Sequence, residues 1–196
     1  MTVLCRQGVG TAIFTEGDEE GMKILIAYAS RNGSTRVCAE RLYRELAGLD
    51  VTLVDLQKET PCVEDYDLCV VGGSVRFARL LKPVRELLRS QEEALCQRPL
   101  ALFFCCGLAH EVEYYRDVLF SENLRRASFE LIYFGGSLRL DGLPFWDKLL
   151  VRSLRSAIAE SEIDDGEYTP SMPGILPENV DKLAANIREK CKNSRS

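Results

Sequence analysis

Five short apolar runs punctuate the chain: Ile24–Tyr28, Val51–Asp55, Leu68–Gly72, Leu100–Cys105 and Leu131–Phe134. They read as apolar on both faces, which suits strands of a parallel sheet covered by helices on either side. Between them lie segments whose apolar residues recur three or four apart, the spacing of one helix face. One such stripe is Cys38, Ala39, Leu42 and Leu46, and another is Leu81, Val84, Leu87 and Leu88. A third follows Pro144, with Trp146, Leu149, Leu150, Leu154 and Ile158, and a last one carries Val180, Leu183, Ala184, Ile187 and Cys191. The segment "AESEIDDGEYTPSMPG" before it reads as a solvated loop. Strand and helix alternating through short joints specify an α/β fold, a doubly wound five-stranded parallel sheet with helices on both faces.

At 196 residues the chain fits one domain with a sizeable core. Residues 1–21 differ from the rest: "TVLCRQGVGTAIF" has weak strand character, and "TEGDEEG" is acidic and flexible. Either this segment is an added edge strand or tail, or the true start is Met22. The second is favoured, with 1–21 an N-terminal extension and 22–192 the folded domain.

No apolar run approaches the roughly 18 residues of a membrane span, and no basic patch precedes an apolar block as in a secretory signal. A net charge of −5 argues against nucleic acid, which needs a concentrated basic face. The eight cysteines form no CxxC or Cys/His ligand spacing, so no metal site is expected. Most fall within apolar patterns, as reduced cysteines of a cytoplasmic protein would. Neighbouring Cys105 and Cys106 should face opposite sides of their strand.

The joint after the first strand, "SRNGST", is where chemistry is expected. In a doubly wound sheet, ligands sit beyond the carboxyl ends of the strands, near the point where strand order reverses. A helix N-terminus there offers unpaired N–H groups and a partial positive charge, both suited to phosphate. Gly33 removes a Cβ from the approach, and Ser30, Asn32, Ser34 and Thr35 add neutral donors. A lysine-free loop of this kind suits a single phosphate monoester. The loop has neither GxGxxG nor GxxxxGK[ST], the marks of dinucleotide and nucleoside triphosphate sites. The competing reading is an ordinary helix cap after a glycine turn.

"SRNGST" resembles the flavodoxin phosphate loop, [ST]-x-[TN]-G-x-[ST], which holds the 5′-phosphate of FMN in that family. The resemblance implies a flavodoxin-like fold and FMN-binding roles for Ser30, Arg31, Asn32, Gly33, Ser34 and Thr35. It further implies that the flavin ring is held between two later loops. Ser74, Val75, Arg76 and Phe77 supply the first, with Phe77 a candidate ring face or, alternatively, a core residue opening a helix. Cys105, Cys106, Gly107 and Leu108 supply the second, mainly through backbone groups. Neither loop has a Trp or Tyr, a departure from the family.

Further segments, "YDLCVVGGSVRFARLLKPVRELL" and "YFGGSLRLDGLPFWDKLLVRSL", resemble the flavodoxin-type, menaquinone-dependent protoporphyrinogen oxidases. The likeness runs from about Met22 to Cys191. It implies an oxidoreductase passing electrons through FMN to a quinone, with a small-molecule substrate and a site at the inner face of the membrane. The same loops would serve an electron-transfer carrier that docks on partner redox enzymes, or a non-redox interaction domain. The chain lacks the dense basic insert of those oxidases between its fourth and fifth strands. There, Arg116, Arg125 and Arg126 are offset by five acids, Glu111, Glu113, Asp117, Glu122 and Glu130. His110, the only histidine, is either a proton relay or an exposed loop residue without function. Lys148, Arg152 and Arg155 share a helix face that either lies on a membrane or is simply solvated. No side chain stands out as a catalytic acid or base.

Overall fold

The computed structural model describes residues 21–107, 112–136 and 174–193. Residues 1–20, Leu108, His110, the helix expected after Pro144 with its Lys148, Arg152 and Arg155, and the loop that follows it lie outside the described residues.

Each expected apolar run is a strand: β1 (Lys23–Ala29), β2 (Asp50–Asp55), β3 (Leu68–Arg76), β5 (Leu100–Cys105) and β6 (Ser128–Tyr133). These five pair in parallel in the order β2-β1-β3-β5-β6, and a short β4 (Arg79–Leu80) returns antiparallel on β3. The chain winds from β1 out to β2, then crosses back to β3 on the other side of β1. The reversal point, where ligands gather in such sheets, therefore lies between the ends of β1 and β3.

The two-residue period of the strands divides the core in two. Ile24, Ile26 and Tyr28 of β1 enter one buried cluster, shared with α1 (Ser34–Glu45) and α6 (Pro177–Asn193). Leu25, Ala27 and Ala29 enter the other, covered by α2 (Lys82–Ser90), α3 (Glu92–Cys96), α4 (Val112–Leu119) and α5 (Glu122–Ala127). The expected stripes of α1 and α6 are buried as their spacing requires. Those two helices are also tied together at the surface. Arg41 donates from Nε and Nη2 to both carboxylate oxygens of Asp181 at 2.9 Å. Arg188 donates to the carbonyls of Glu45 at 2.7 Å and Ala47 at 3.0 Å, closing the open C-terminal end of α1.

Two expectations need correction. Strand β2 is not buried on both faces, because it forms the sheet edge and only Val54 is fully covered. Strand β3 does not end at Gly72 but continues to Arg76 and folds back as a hairpin before α2 begins. The segment between the fourth and fifth core strands holds two helices, α4 and α5, anchored by buried Tyr115 and Leu124. Their apolar residues are too few and too interrupted by charge for the period to show. After β6, β7 (Gly135–Gly136) and β8 (Gly174–Ile175) pair antiparallel. Among the described residues, no helix is long and apolar enough to cross a membrane.

Candidate functional site

The joint between β1 and α1 opens at the reversal point of the sheet. Ser30 follows the last residue of β1, and its Oγ accepts the Gly33 N–H at 3.1 Å, which curls the loop on itself. Gly33 takes φ +88°, a left-handed conformation that costs a residue with a Cβ about 1–2 kcal/mol. It stands at the cap position of α1, whose first turn receives no side-chain cap and contains no acid. The cap position is thus a glycine and not the Ser, Thr or Asn of an ordinary side-chain cap. Such an end attracts an anion.

The floor of the cradle is built across the sheet. Parallel pairing sets Ala29 of β1 beside Gly73 of β3, so Ser74 emerges next to the first turn of α1. Thr35, wholly buried, places its Oγ1 2.7 Å from Ser74 Oγ. This hydrogen bond joins the first and second candidate loops directly. The neighbouring Cys105 thiol is pushed well above its usual range by a hydrogen bond with Cys38 and by burial.

The second loop takes a form the sequence did not show. Ser74, Val75 and Arg76 are strand residues, and Phe77 and Ala78 form the two-residue tip that returns to Arg79. Both tip residues have positive φ, 49° and 54°, the geometry of a tight hairpin normally given to Asn and Gly. Holding non-glycine residues there costs on the order of 1–3 kcal/mol each and is most common at functional sites. Phe77 is 62% exposed, which excludes the alternative of a core residue. The Arg76 guanidinium lies over its ring, 4.8 Å from the centroid.

The third loop is more committed to the interior than expected. Cys105 and Cys106 are both buried and enter opposite clusters, as alternation requires. The Cys106 N–H donates to the Gly135 carbonyl at 3.1 Å, and its carbonyl accepts the Tyr133 hydroxyl at 2.8 Å. Burial pushes the Tyr133 phenol up, which keeps it a donor. A side chain on Gly136 would put its Cβ 2.5 Å from the Cys106 carbonyl oxygen, so the backbones meet here only because that residue is glycine. Asn179 of α6 completes the brace by donating to the Tyr133 carbonyl at 2.7 Å. Cys106 thus already has partners for its peptide groups, and Gly107 is the first partly exposed residue of this loop. The Thr35–Ser74 pair and the Tyr133–Asn179 brace escaped sequence reasoning because each joins residues far apart in the chain, and the hairpin return because its tip holds neither Gly nor Asn. Among the described residues, no group of acids, cysteines and histidine could hold a metal ion.

The family model described as "Flavodoxin domain" covers residues 25–164, well over half the chain. The chain belongs to the flavodoxin-domain family. Among curated relatives of this flavodoxin-domain chain is protoporphyrinogen IX dehydrogenase (quinone) of Escherichia coli strain K12. It is 26% identical over 142 residues, covering 67% of this chain and 77% of the relative. Among solved structures, a Fusobacterium nucleatum flavodoxin bound to flavin mononucleotide superposes with a TM-score of 0.52 at 11% identity. That match covers 86% of this chain and 98% of the other. The oxidised flavodoxin 1 of Bacillus cereus gives a TM-score of 0.44 at 14% identity, covering 72% and 99%. At 11% identity the Fusobacterium match bears on the fold alone, and the fold is that of a flavodoxin.

Proposed function

We propose that this flavodoxin-domain protein binds FMN and works as an oxidoreductase of the protoporphyrinogen-dehydrogenase type, with a quinone as electron acceptor. One observation supports FMN above the rest: the acid-free, uncapped end of α1 behind Gly33, bordered by Ser30, Asn32, Ser34 and Thr35. The cradle fits one phosphate monoester, having hydroxyls, an amide and backbone N–H groups but no lysine. When bound, FMN supplies reversible transfer of one or two electrons. The protein's part is to hold and orient it. Ser30 to Thr35, with Arg31 at the exposed rim, take the phosphate. Ser74, Val75, Arg76 and Phe77 border the ring on one side, and the loop that opens at Gly107 borders it on the other. The Thr35–Ser74 hydrogen bond keeps the phosphate and ring subsites at a fixed separation.

The substrate side rests on the Escherichia coli relative, whose name gives both protoporphyrinogen and quinone. The purified protein should carry a flavin absorption spectrum that bleaches anaerobically with protoporphyrinogen IX and recovers with menadione. A retained flavin that protoporphyrinogen leaves oxidised would remove the substrate assignment. A second reading, an electron carrier that docks on partner enzymes, is favoured by the exposed hairpin tip at Phe77. Reductive titration separates the two. A carrier is reduced in two resolved one-electron steps, whereas a dehydrogenase of this type is reduced in one two-electron step.

A further inference from the structure

Strand β5 lies between β3 and β6, and Cys106 is the first residue beyond its end. The Cys106 N–H donates to the Gly135 carbonyl at 3.1 Å, and its carbonyl accepts the Tyr133 hydroxyl at 2.8 Å. Tyr133 ends β6 and Gly135 opens β7 just after it, so both groups of Cys106 are turned to the β6 side of the sheet. A trans peptide is planar, with its carbonyl and its N–H pointing in opposite directions. Holding the Cys106 carbonyl on the β6 side therefore turns the Gly107 N–H towards the β3 side, where Ser74 runs beside Cys105. Among the described residues that N–H has no acceptor, and Gly107 is only partly exposed.

We propose that Tyr133 is a positioning residue: its hydroxyl fixes the Cys106–Gly107 peptide so that the Gly107 N–H is aimed at a carbonyl oxygen of the flavin ring. The inference rests on the FMN reading above and adds to it a residue one peptide removed from the ligand.

The anchor is built to hold one geometry. The Tyr133 ring packs against Phe104 with centroids 5.3 Å apart, inside one buried cluster. Its carbonyl accepts from Asn179 Nδ2 at 2.7 Å, and the next carbonyl, that of Phe134, accepts the Leu176 N–H at 3.0 Å. The end of β6 is thus pinned to the start of α6. A Cβ on Gly136 would stand 2.5 Å from the Cys106 oxygen, so this carbonyl is confined by backbone as well as by the phenol. Burial pushes the phenol up, which leaves it a donor throughout the physiological range. A buried tyrosine hydroxyl needs some partner. Here the partner is the peptide that opens the ligand loop.

Reduction places negative charge on the carbonyl end of a flavin, and a donor fixed in advance gains strength as its acceptor becomes charged. Loosening the Cys106–Gly107 peptide should therefore cost the reduced form more than the oxidised one.

The test uses Tyr133→Phe in the full-length protein, which keeps the packed ring and removes only the hydroxyl. FMN is titrated into flavin-free protein in its oxidised and reduced forms, and the midpoint potential is read by equilibration with redox dyes. Binding of reduced FMN should weaken about tenfold more than binding of oxidised FMN, which lowers the two-electron potential by about 30 mV. Ser121→Ala, a change remote from this loop, should leave both affinities and the potential as they were. If Tyr133→Phe folds poorly, Asn179→Leu loosens the same strand end from outside the core and should give a smaller shift of the same sign. FMN bound at an unchanged potential in the variant, or an equal shift in Ser121→Ala, would overturn this inference alone. A wild-type protein that binds FMN in neither form would overturn the proposed function, and this inference with it.

Discussion

Two helix N-termini in this molecule are treated in opposite ways. At α5, Ser121 accepts the Leu124 N–H at 3.3 Å, donates to Glu92 at 2.6 Å, and is followed by Glu122 in the first turn. That end is capped and neutralised. At α1, the cap position is Gly33, no side chain closes it, and the first turn carries no acid. Capping and an acidic first turn are each worth about 0.5–1 kcal/mol to a helix, so α1 forgoes stabilisation that α5 takes. What α1 keeps is a glycine-capped, acid-free end beside a hydroxyl bridge, and such an end favours an anion.

Making α1 resemble α5 should break that contrast most sharply. Ser34→Asp places a carboxylate in the first turn and should leave the fold unchanged or slightly more stable, by about 0.3–1 kcal/mol in urea titration. The same change should weaken FMN binding by about 100-fold or more, since like charges then share the cradle. Unchanged FMN affinity would mean that the phosphate sits elsewhere.

Gly33→Ala tests the turn itself. Its Cβ would meet nothing within 4 Å, so only backbone strain opposes it. The expected cost is about 1–2 kcal/mol of stability, with FMN affinity reduced as the N–H groups shift. Thr35→Val removes the bridge to Ser74 and leaves that hydroxyl without its partner, at a cost of about 1–2 kcal/mol by chemical denaturation. Thr35→Ser should restore most of that loss by returning the hydroxyl. At the other end of the comparison, Ser121→Ala should cost about 1 kcal/mol or less of stability and leave FMN retention untouched. A loss of flavin in this last variant would mean that the two ends are coupled through the fold.

The segments that sequence reasoning read well are those whose pattern is local. The stripes Cys38-Ala39-Leu42 and Val180-Leu183-Ala184-Ile187 lie on one helix face because the helix period alone brings them together. The loop from Ser30 to Thr35 was legible for the same reason: a strand end, a glycine and a helix start are neighbours in the chain. The hairpin at Phe77 was not legible, because neither tip residue is the Gly or Asn that announces such a turn. Helices α4 and α5 were missed because only Tyr115 and Leu124 of them are buried, too few to write a period.

By itself, then, the sequence determined the alternation of strands and helices, both buried stripes and the position of the phosphate-type loop, all set by residues within one or two turns of each other. Only the tertiary structure decided which strand lies beside β1, and hence that Thr35 meets Ser74 across 39 positions of chain. It also decided that α1 has a glycine cap while Ser30 turns back to Gly33, and that Phe77 faces solvent beside the Arg76 guanidinium. The physical reason is the same in each case. Pairing, register and exposure depend on what the rest of the chain brings alongside, and no local period records it.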